Sequence, residues 1–505
     1  MKEIKNKVMK KIFNKTFLLI VTLSLAACFD LEKTDPNQQN EDTFWTNQDQ
    51  LEMGVYACYD VLQIYWRDVA QWLYCGLSDE GTNEYPYEFY DVFRFRGDDL
   101  NRFQDTWTVM YNMIGRAYQV IERAPDISGA KVPQITAEAR FFVALGYYHL
   151  QLVFGDHVAY VDGIQSPADR PPRAEEGQLY EMMEEQLELA IPDLPLASEY
   201  RDTDYGRITK GAAQAMLAKV HMQQGEYSEA ELLLSQVIGS NEYELLDDFE
   251  DNFLNLNEIN SEAILTTNFV SYGTEGNEAN DWNLRPMFFS MVESNGAFGD
   301  VQATNFILES FQTENDADGN PDPRLDATVF HENSSRLYYG EPWDFWYAEV
   351  PNPDIVSGIY KYSEQEIVAT NDGQLIDQMA GTNFNLIRYA DVLLLYAEAL
   401  NANGKTGDAY DYVDEVRERS NMNPLSDVKP GLSQGEFLEQ LKHERLVELA
   451  GELVRFDDLK RWGDYSSSNT NDPNFETFTD GKNDVGPIPQ TELDLNPNLI
   501  QNPNY

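Results

Sequence analysis

Arg388–Ser420 reads RYADVLLLYAEALNANGKTGDAYDYVDEVRERS. Leu393, Tyr396, Ala397 and Leu400 recur at helical spacing, and so do Ala409, Tyr412, Val413 and Val416. Between them Asn401–Thr406 is a polar turn carrying Gly404, which accepts the left-handed angles a helix end needs. The stretch predicts two helices joined by a tight turn. An earlier stretch, Lys210–Ile238 (KGAAQAMLAKVHMQQGEYSEAELLLSQVI), repeats it, with Ala218, Gly225 and Ala230 at the offsets of Ala397, Gly404 and Ala409. Small residues there let paired helices approach closely, as in tetratricopeptide-type hairpins. One hairpin cannot bury its own apolar face, so several should stack. The expected fold is mostly α: helical hairpins stacked as a scaffold, with a loop-rich insert containing short helices and a few strands.

Helical patterns also cover 42–64, 66–77, 103–123, 136–154 and 175–190, and Gln434–Trp462 reads as two more helices. Thr136–Phe154 (TAEARFFVALGYYHLQLVF) is apolar almost all round, the mark of a buried central helix. Residues 240–385 lack a sustained helical period and hold Gly, Pro, Asn and many aromatics, which reads as long loops, short helices and a few strands. Loops of this length inside a compact chain are functional or disordered, and the aromatic content argues against disorder. The segment Thr82–Phe95 (TNEYPYEFYDVFRF) sets aromatics among polar residues around Pro86, a loop or short strand. The Pro- and Asn-rich tail, 463–505, is expected to be extended.

The 505 residues carry 36 Lys and Arg against 87 Asp and Glu, a formal charge of −51. Such a chain repels nucleic acid and anionic lipid surfaces, so no nucleic-acid role is expected. The three cysteines, Cys28, Cys58 and Cys75, make no disulfide framework. Cys58 and Cys75 both lie in apolar helical surroundings, which favours buried free thiols over a bridge.

Residues 1–16 are lysine-rich, Phe17–Leu25 is an apolar run, and Leu25-Ala26-Ala27-Cys28 follows. This is the layout of a secretory signal, 1–27. The run is too short for a permanent membrane span, which needs roughly 20 residues. Cys28 directly after Leu-Ala-Ala resembles the bacterial lipobox, which implies lipid attachment at Cys28 and a polar tether over 28–42. The early acids Asp30 and Glu32 resemble a cell-surface export signal of Bacteroidetes lipoproteins.

The joint order of several motifs resembles the SusD/RagB family of Bacteroidetes outer-membrane lipoproteins. They are Ala139-Arg140-Phe141-Phe142 with its helix to Gly155-Asp156, Arg207–Leu217, Ile387-Arg388-Tyr389-Ala390-Asp391 to Ala399, and His443-Glu444-Arg445 through Arg461-Trp462. Ile488-Pro489-Gln490 and Gln501-Asn502-Pro503-Asn504-Tyr505 complete the set. The resemblance implies one SusD-like domain over 43–505: scaffold 43–239 and 386–462, insert 240–385, tail 463–505. It implies a lipid-anchored, surface-exposed outer-membrane protein that captures oligo- or polysaccharide for a SusC-like TonB-dependent β-barrel transporter. Peptide or another nutrient as cargo, or a scaffold without ligand, are the alternatives.

In the family, variable loops hold ligand through aromatic and polar side chains. An aromatic face packs on the C–H face of a pyranose while amides and charged groups bond its hydroxyls. The candidate ligand-binding residues are Tyr85, Tyr87, Trp282, Trp343 and Trp346, with Asn83 and Arg285 as polar helpers. Asp316, Asp318, Asn320 and Asp322 alternate around Gly319 and would suit calcium. The Gly is one position off the usual place and no Glu stands at the twelfth, so a solvated acidic turn is the competing reading. No other cofactor is expected. The sequence has no HExxH, no GxSxG and no phosphate-cradling Gly loop, and the expectation is a binding protein, not an enzyme.

Overall fold

The computed structural model describes residues 44–83, 93–94, 102–254, 258–269, 301–337, 342–344, 357–359, 361–362, 368–369, 375–376 and 381–505. Both hairpins form where the sequence puts them. Helices Lys210–Gln224 and Tyr227–Gly239 flank Gly225, and helices Tyr389–Ala402 and Thr406–Arg419 flank Gly404. The two glycines take φ of +73° and +77°. That backbone lets the N–H of Glu226 reach the carbonyl of His221, and the N–H of Lys405 that of Leu400, both at 2.9 Å. The same six-residue ring closes each helix end. Ala218, Ala230, Ala397 and Ala409 are fully buried. They sit where helices meet, and a larger side chain there would hold the helices apart.

The second helix of the 210–239 hairpin packs along the first helix of the 389–419 hairpin. The stack runs on in both directions. Arg102–Arg123 packs on Val132–Phe154, that helix on Gln178–Ala190, and Gln178–Ala190 on Lys210–Gln224. Gln434–Leu449 lies against Tyr389–Ala402. Val132–Phe154 is the buried central helix, with Phe141, Phe142, Ala144, Tyr147 and Leu150 all without exposure. Among the described residues no helix is long and apolar enough to cross a membrane.

Some boundaries differ from the sequence reading. The first described long helix starts at Gln48, because the Asn47 side chain caps it by accepting the Gln50 N–H at 3.1 Å. The 66–77 run is helical but opens with a π turn, Tyr65–Val69, before Ala70–Gly76. The tail is not simply extended. It forms a short helix, Gln490–Leu495, with Pro489 as its N-cap, where a missing N–H costs nothing. Asn502 then returns to donate to the Phe154 carbonyl at 3.2 Å. Cys58 and Cys75 are buried and not bridged to each other, and burial pushes the Cys58 pKa up to about 12.

Charged residues of helix Gln434–Leu449 lie inside, paired with arginines from earlier in the chain. Arg388, Arg324, Glu448 and Glu444 are all almost wholly buried. Arg388 donates to Glu452 (2.7 Å), to Glu448 (3.0 Å) and to Glu262. Arg324 donates to Asp322 (2.7 Å), Glu444 (2.6 Å) and Glu448 (3.2 Å). Arg417 joins Glu444 to Glu314, each at 2.7 Å. Lys361 reaches Glu452 at 2.8 Å between the rings of Phe249 and Phe253. Burial alone would raise the Glu448 pKa, but Arg419, Arg388 and Arg324 outweigh it and hold it down at about 2. The network ties the insert (Glu262, Arg324, Lys361) to the helices that follow it.

The insert is anchored at its root by a strand pair. Ala263–Thr267 runs antiparallel to Phe384–Arg388, with Ala263 opposite Arg388 and Thr267 opposite Phe384. Phe384–Arg388 leads directly into the 389–419 hairpin. Its short strands and helices, including Asn305–Phe311 and Arg324–Thr328, are the mixture the sequence suggested.

Candidate functional site

Gly81–Asn83 pairs antiparallel with Val301–Ala303, in the register Gly81↔Ala303, Thr82↔Gln302 and Asn83↔Val301. At Asn83 the chain departs toward Tyr85 and Tyr87. At Val301 it arrives from the segment that contains Trp282 and Arg285. Antiparallel pairing places these two points opposite each other. Both aromatic-bearing segments therefore join one end of the same three-residue ladder.

The ladder is held from below by buried polar contacts. Asp79 is fully buried and takes two hydrogen bonds from Arg455, at 2.6 and 2.9 Å. It also accepts from the amides of Asn469 (3.1 Å) and Asn471 (2.8 Å). Burial would raise its pKa, but Arg455 and these amides outweigh burial and keep the carboxyl below its ordinary value. The Thr304 N–H donates to the Glu80 carbonyl at 3.1 Å, and its hydroxyl to the Asp79 carbonyl at 2.8 Å. The Gly451 N–H donates to the Glu80 carboxylate at 3.2 Å. Gly81 lies so close to Cys75 that a Cβ there would stand 1.9 Å from its sulfur. Only glycine fits.

The other end of the 269–301 stretch is also fixed. The Phe269 N–H donates to the Asn383 side chain at 2.8 Å, and Gln63 donates to the Asn268 carbonyl at 2.8 Å. A cleft of about 300 Å³ opens at this root, lined by Tyr56, Tyr59, Tyr205, Gln63, Asn268 and Arg207 among others. Arg207 is fixed by Glu138 (2.7 Å) and Glu52 (2.6 Å) and lies 5.4 Å from the half-exposed Tyr56 ring.

Of the residues singled out from sequence, Asn83 is the last residue of the first ladder strand. Trp343 is 8 % exposed, its ring packed on Phe330 with centroids 5.4 Å apart. Phe330 belongs to strand Val329–His331, which pairs with Ser357–Ile359, so Trp343 packs within the insert. Cys28, Tyr85, Tyr87, Trp282, Arg285 and Trp346 lie outside the described residues. The acidic turn closes on its own hydrogen bonds. Asp316 accepts from the N–H groups of Asp318 (3.0 Å) and Asn320 (2.7 Å) and from the amide of Asn421 (3.2 Å). Asp318 also accepts from Asn421, and Asp322 is engaged by buried Arg324. N–H donors thus engage both carboxylate oxygens of Asp316 and of Asp322 and one of Asp318.

The supporting residues Asp79, Arg455 and Thr304 escaped the sequence reading. Ser78-Asp79-Glu80-Gly81 looks like an ordinary helix stop, and Arg455 stands 376 residues further on. The one available signal was an Asp-Glu pair followed directly by Gly beside apolar helix.

Two SusD-type family models match successive parts of this chain. One, described as starch-binding associating with outer membrane, matches residues 31–222, and one for the SusD family matches 261–505. The chain belongs to the SusD/RagB family. The SusD-like protein P2 of Formosa agariphila is 28% identical over 536 residues, spanning 98% of this chain and 100% of the relative. A SusD superfamily protein of Bacteroides vulgatus superposes with a TM-score of 0.80 at 23% identity, over 92% of this chain and 100% of that one. A laminarin-binding SusD-like protein superposes with a TM-score of 0.74 at 24% identity, over 91% and 100%. At these identities the SusD structures establish the shared fold. They agree with the mostly helical architecture described above.

Proposed function

We propose that this SusD-family chain captures glycan at the face carried by the Gly81–Asn83 and Val301–Ala303 ladder, and delivers it to a SusC-like TonB-dependent transporter. The observation that carries the reading is the register: it sets Asn83, where segment 84–92 begins, opposite Val301, where segment 270–300 ends, on a ladder pinned by Asp79 and Arg455. Those segments contribute Tyr85, Tyr87, Trp282 and Arg285, with Asn83 at the edge. Aromatic rings beside hydrogen-bonding side chains suit the two faces of a sugar ring. The reading is of binding without turnover. The lipid anchor at Cys28 would keep the protein at the outer membrane, facing outward.

Titration calorimetry on residues from Phe29 onward, against laminarin and a panel of neutral and acidic polysaccharides, tests this. Laminarin comes first because a protein of the same fold binds it. Binding of one glycan, lost in Tyr87→Ala or Trp282→Ala, supports the site. Binding retained in both and in Asn83→Ala, Arg285→Ala and Trp346→Ala moves the site elsewhere. No binding to any glycan, with peptides bound instead, overturns the cargo. Delivery is read separately, by co-purification with the transporter, and the anchor by release of Cys28→Ala from the membrane fraction.

A further inference from the structure

His221 lies in the last turn of helix Lys210–Gln224 and is buried. Its Nδ1 faces two carboxylates from separate elements. Glu226, just past the Gly225 cap, comes within 2.7 Å, and Glu184, on the neighbouring helix Gln178–Ala190, within 4.0 Å. One ligand atom from each of the three residues lies within 4.8 Å of the others. Imidazole nitrogen has one position to offer, so it cannot hydrogen-bond both carboxylates equally. The second carboxylate is left close to a like charge. Gln224 donates to Glu184 at 2.6 Å, which holds that side chain over the site.

We propose that His221, Glu184 and Glu226 form a binding site for a first-row divalent cation, zinc above others, that clamps the Gln178–Ala190 helix to the 210–239 hairpin. The donor set decides the metal. One imidazole with two carboxylates suits zinc, whereas calcium and magnesium prefer all-oxygen shells of six or more. Zinc bonds of about 2.0–2.2 Å place neighbouring ligand atoms of a tetrahedron about 3.3 Å apart. The observed 2.7 and 4.0 Å bracket that value, so small rotations of the Glu184 and Glu226 side chains complete three corners and water takes the fourth. Glu226 is exposed, which gives the ion a path in from solvent. The strongly acidic chain raises the local concentration of cations around the site. On binding, the hydrogen bond between Nδ1 and Glu226 gives way to the ion: the ring carries its proton on Nε2, any further proton leaves to solvent, and Nδ1 becomes a ligand through its lone pair.

The test is titration of zinc chloride into the chelator-treated chain from Phe29 onward, by calorimetry and thermal unfolding, with cobalt as a spectroscopic probe. The wild type is expected to take up one equivalent, unfold at a higher temperature with zinc, and give cobalt a visible d–d band of tetrahedral type. His221→Gln and Glu184→Gln are expected to lose the equivalent, the unfolding shift and the band together, while His157→Gln keeps all three. Glu184 is partly exposed, so its variant tests the site in a chain that folds. Uptake undiminished in Glu184→Gln, or no saturable uptake by the wild type, would overturn the proposal.

Discussion

The two hairpins and the ladder Gly81–Asn83/Val301–Ala303 obtain their order from opposite sources. Each hairpin closes through bonds between near neighbours, such as Lys405 N–H to Leu400, and through alanines fixed by local spacing. The ladder is three residues long, too short to stand alone. It is held by Arg455, Asn469 and Asn471, hundreds of residues away, and by the close approach of Gly81 to Cys75. The helical frame is therefore locally determined, while the surface assigned to ligand is determined by tertiary contact. Such a surface can vary in its loops while its base stays put.

The sharpest way to break the contrast is to attack the network where frame and insert meet. Arg388→Ala removes the guanidinium that joins Glu262, Glu448 and Glu452, leaves three buried carboxylates to Arg419, Arg324 and Lys361 alone, and should cost about 3 kcal/mol of stability. A urea titration would measure it, and a loss below about 1 kcal/mol would mean the network is dispensable. Acid probes the same contacts next. The Glu448 carboxyl is held at about 2 against an ordinary 4.5, so its stabilisation is complete above pH 4.5 and disappears as pH falls toward 2. Roughly 3 kcal/mol should be lost across that window, seen as a falling urea midpoint between pH 5 and about 2. Asp79 shifts in the same direction, so the ladder weakens along with the frame.

Gly81→Ala separates the two regions. It drives a methyl group into Cys75 and should cost about 1–3 kcal/mol. Glycan affinity should fall as well, and Cys75→Ala in the same chain should restore both. Calorimetry and urea unfolding of the single and double variants check this; no rescue would mean the ladder does not rest on Cys75. The smallest effect belongs to the frame. Gly404→Ala imposes a Cβ at φ +77° and should cost about 1 kcal/mol, with glycan affinity unchanged. A change in affinity would show that the hairpin turn reaches the ligand surface.

The hairpins were legible because helical period and small-residue offsets are local signals, and Ala218, Gly225, Ala397 and Gly404 each took the predicted role. The burial of Arg388, Arg324 and Glu448 was not legible. The same alternation of charge describes an exposed helix and a fully paired interior one, and only tertiary neighbours distinguish them. For the site, the sequence picked out aromatic segments but gave no sign that Asn83 and Val301 would be partners. Strand register between segments so far apart depends on the packing beneath them.

The fixed ends of the 269–301 stretch carry a consequence for protein engineering. Phe269 is tied to Asn383 at one end and Val301 to Asn83 at the other, so the frame offers two defined sockets between which a segment can be exchanged. Doubling the length of such a segment adds only about 0.6 kcal/mol of closure entropy. A relative's segment cut at these two sockets should graft onto this frame and bring its own ligand preference with it.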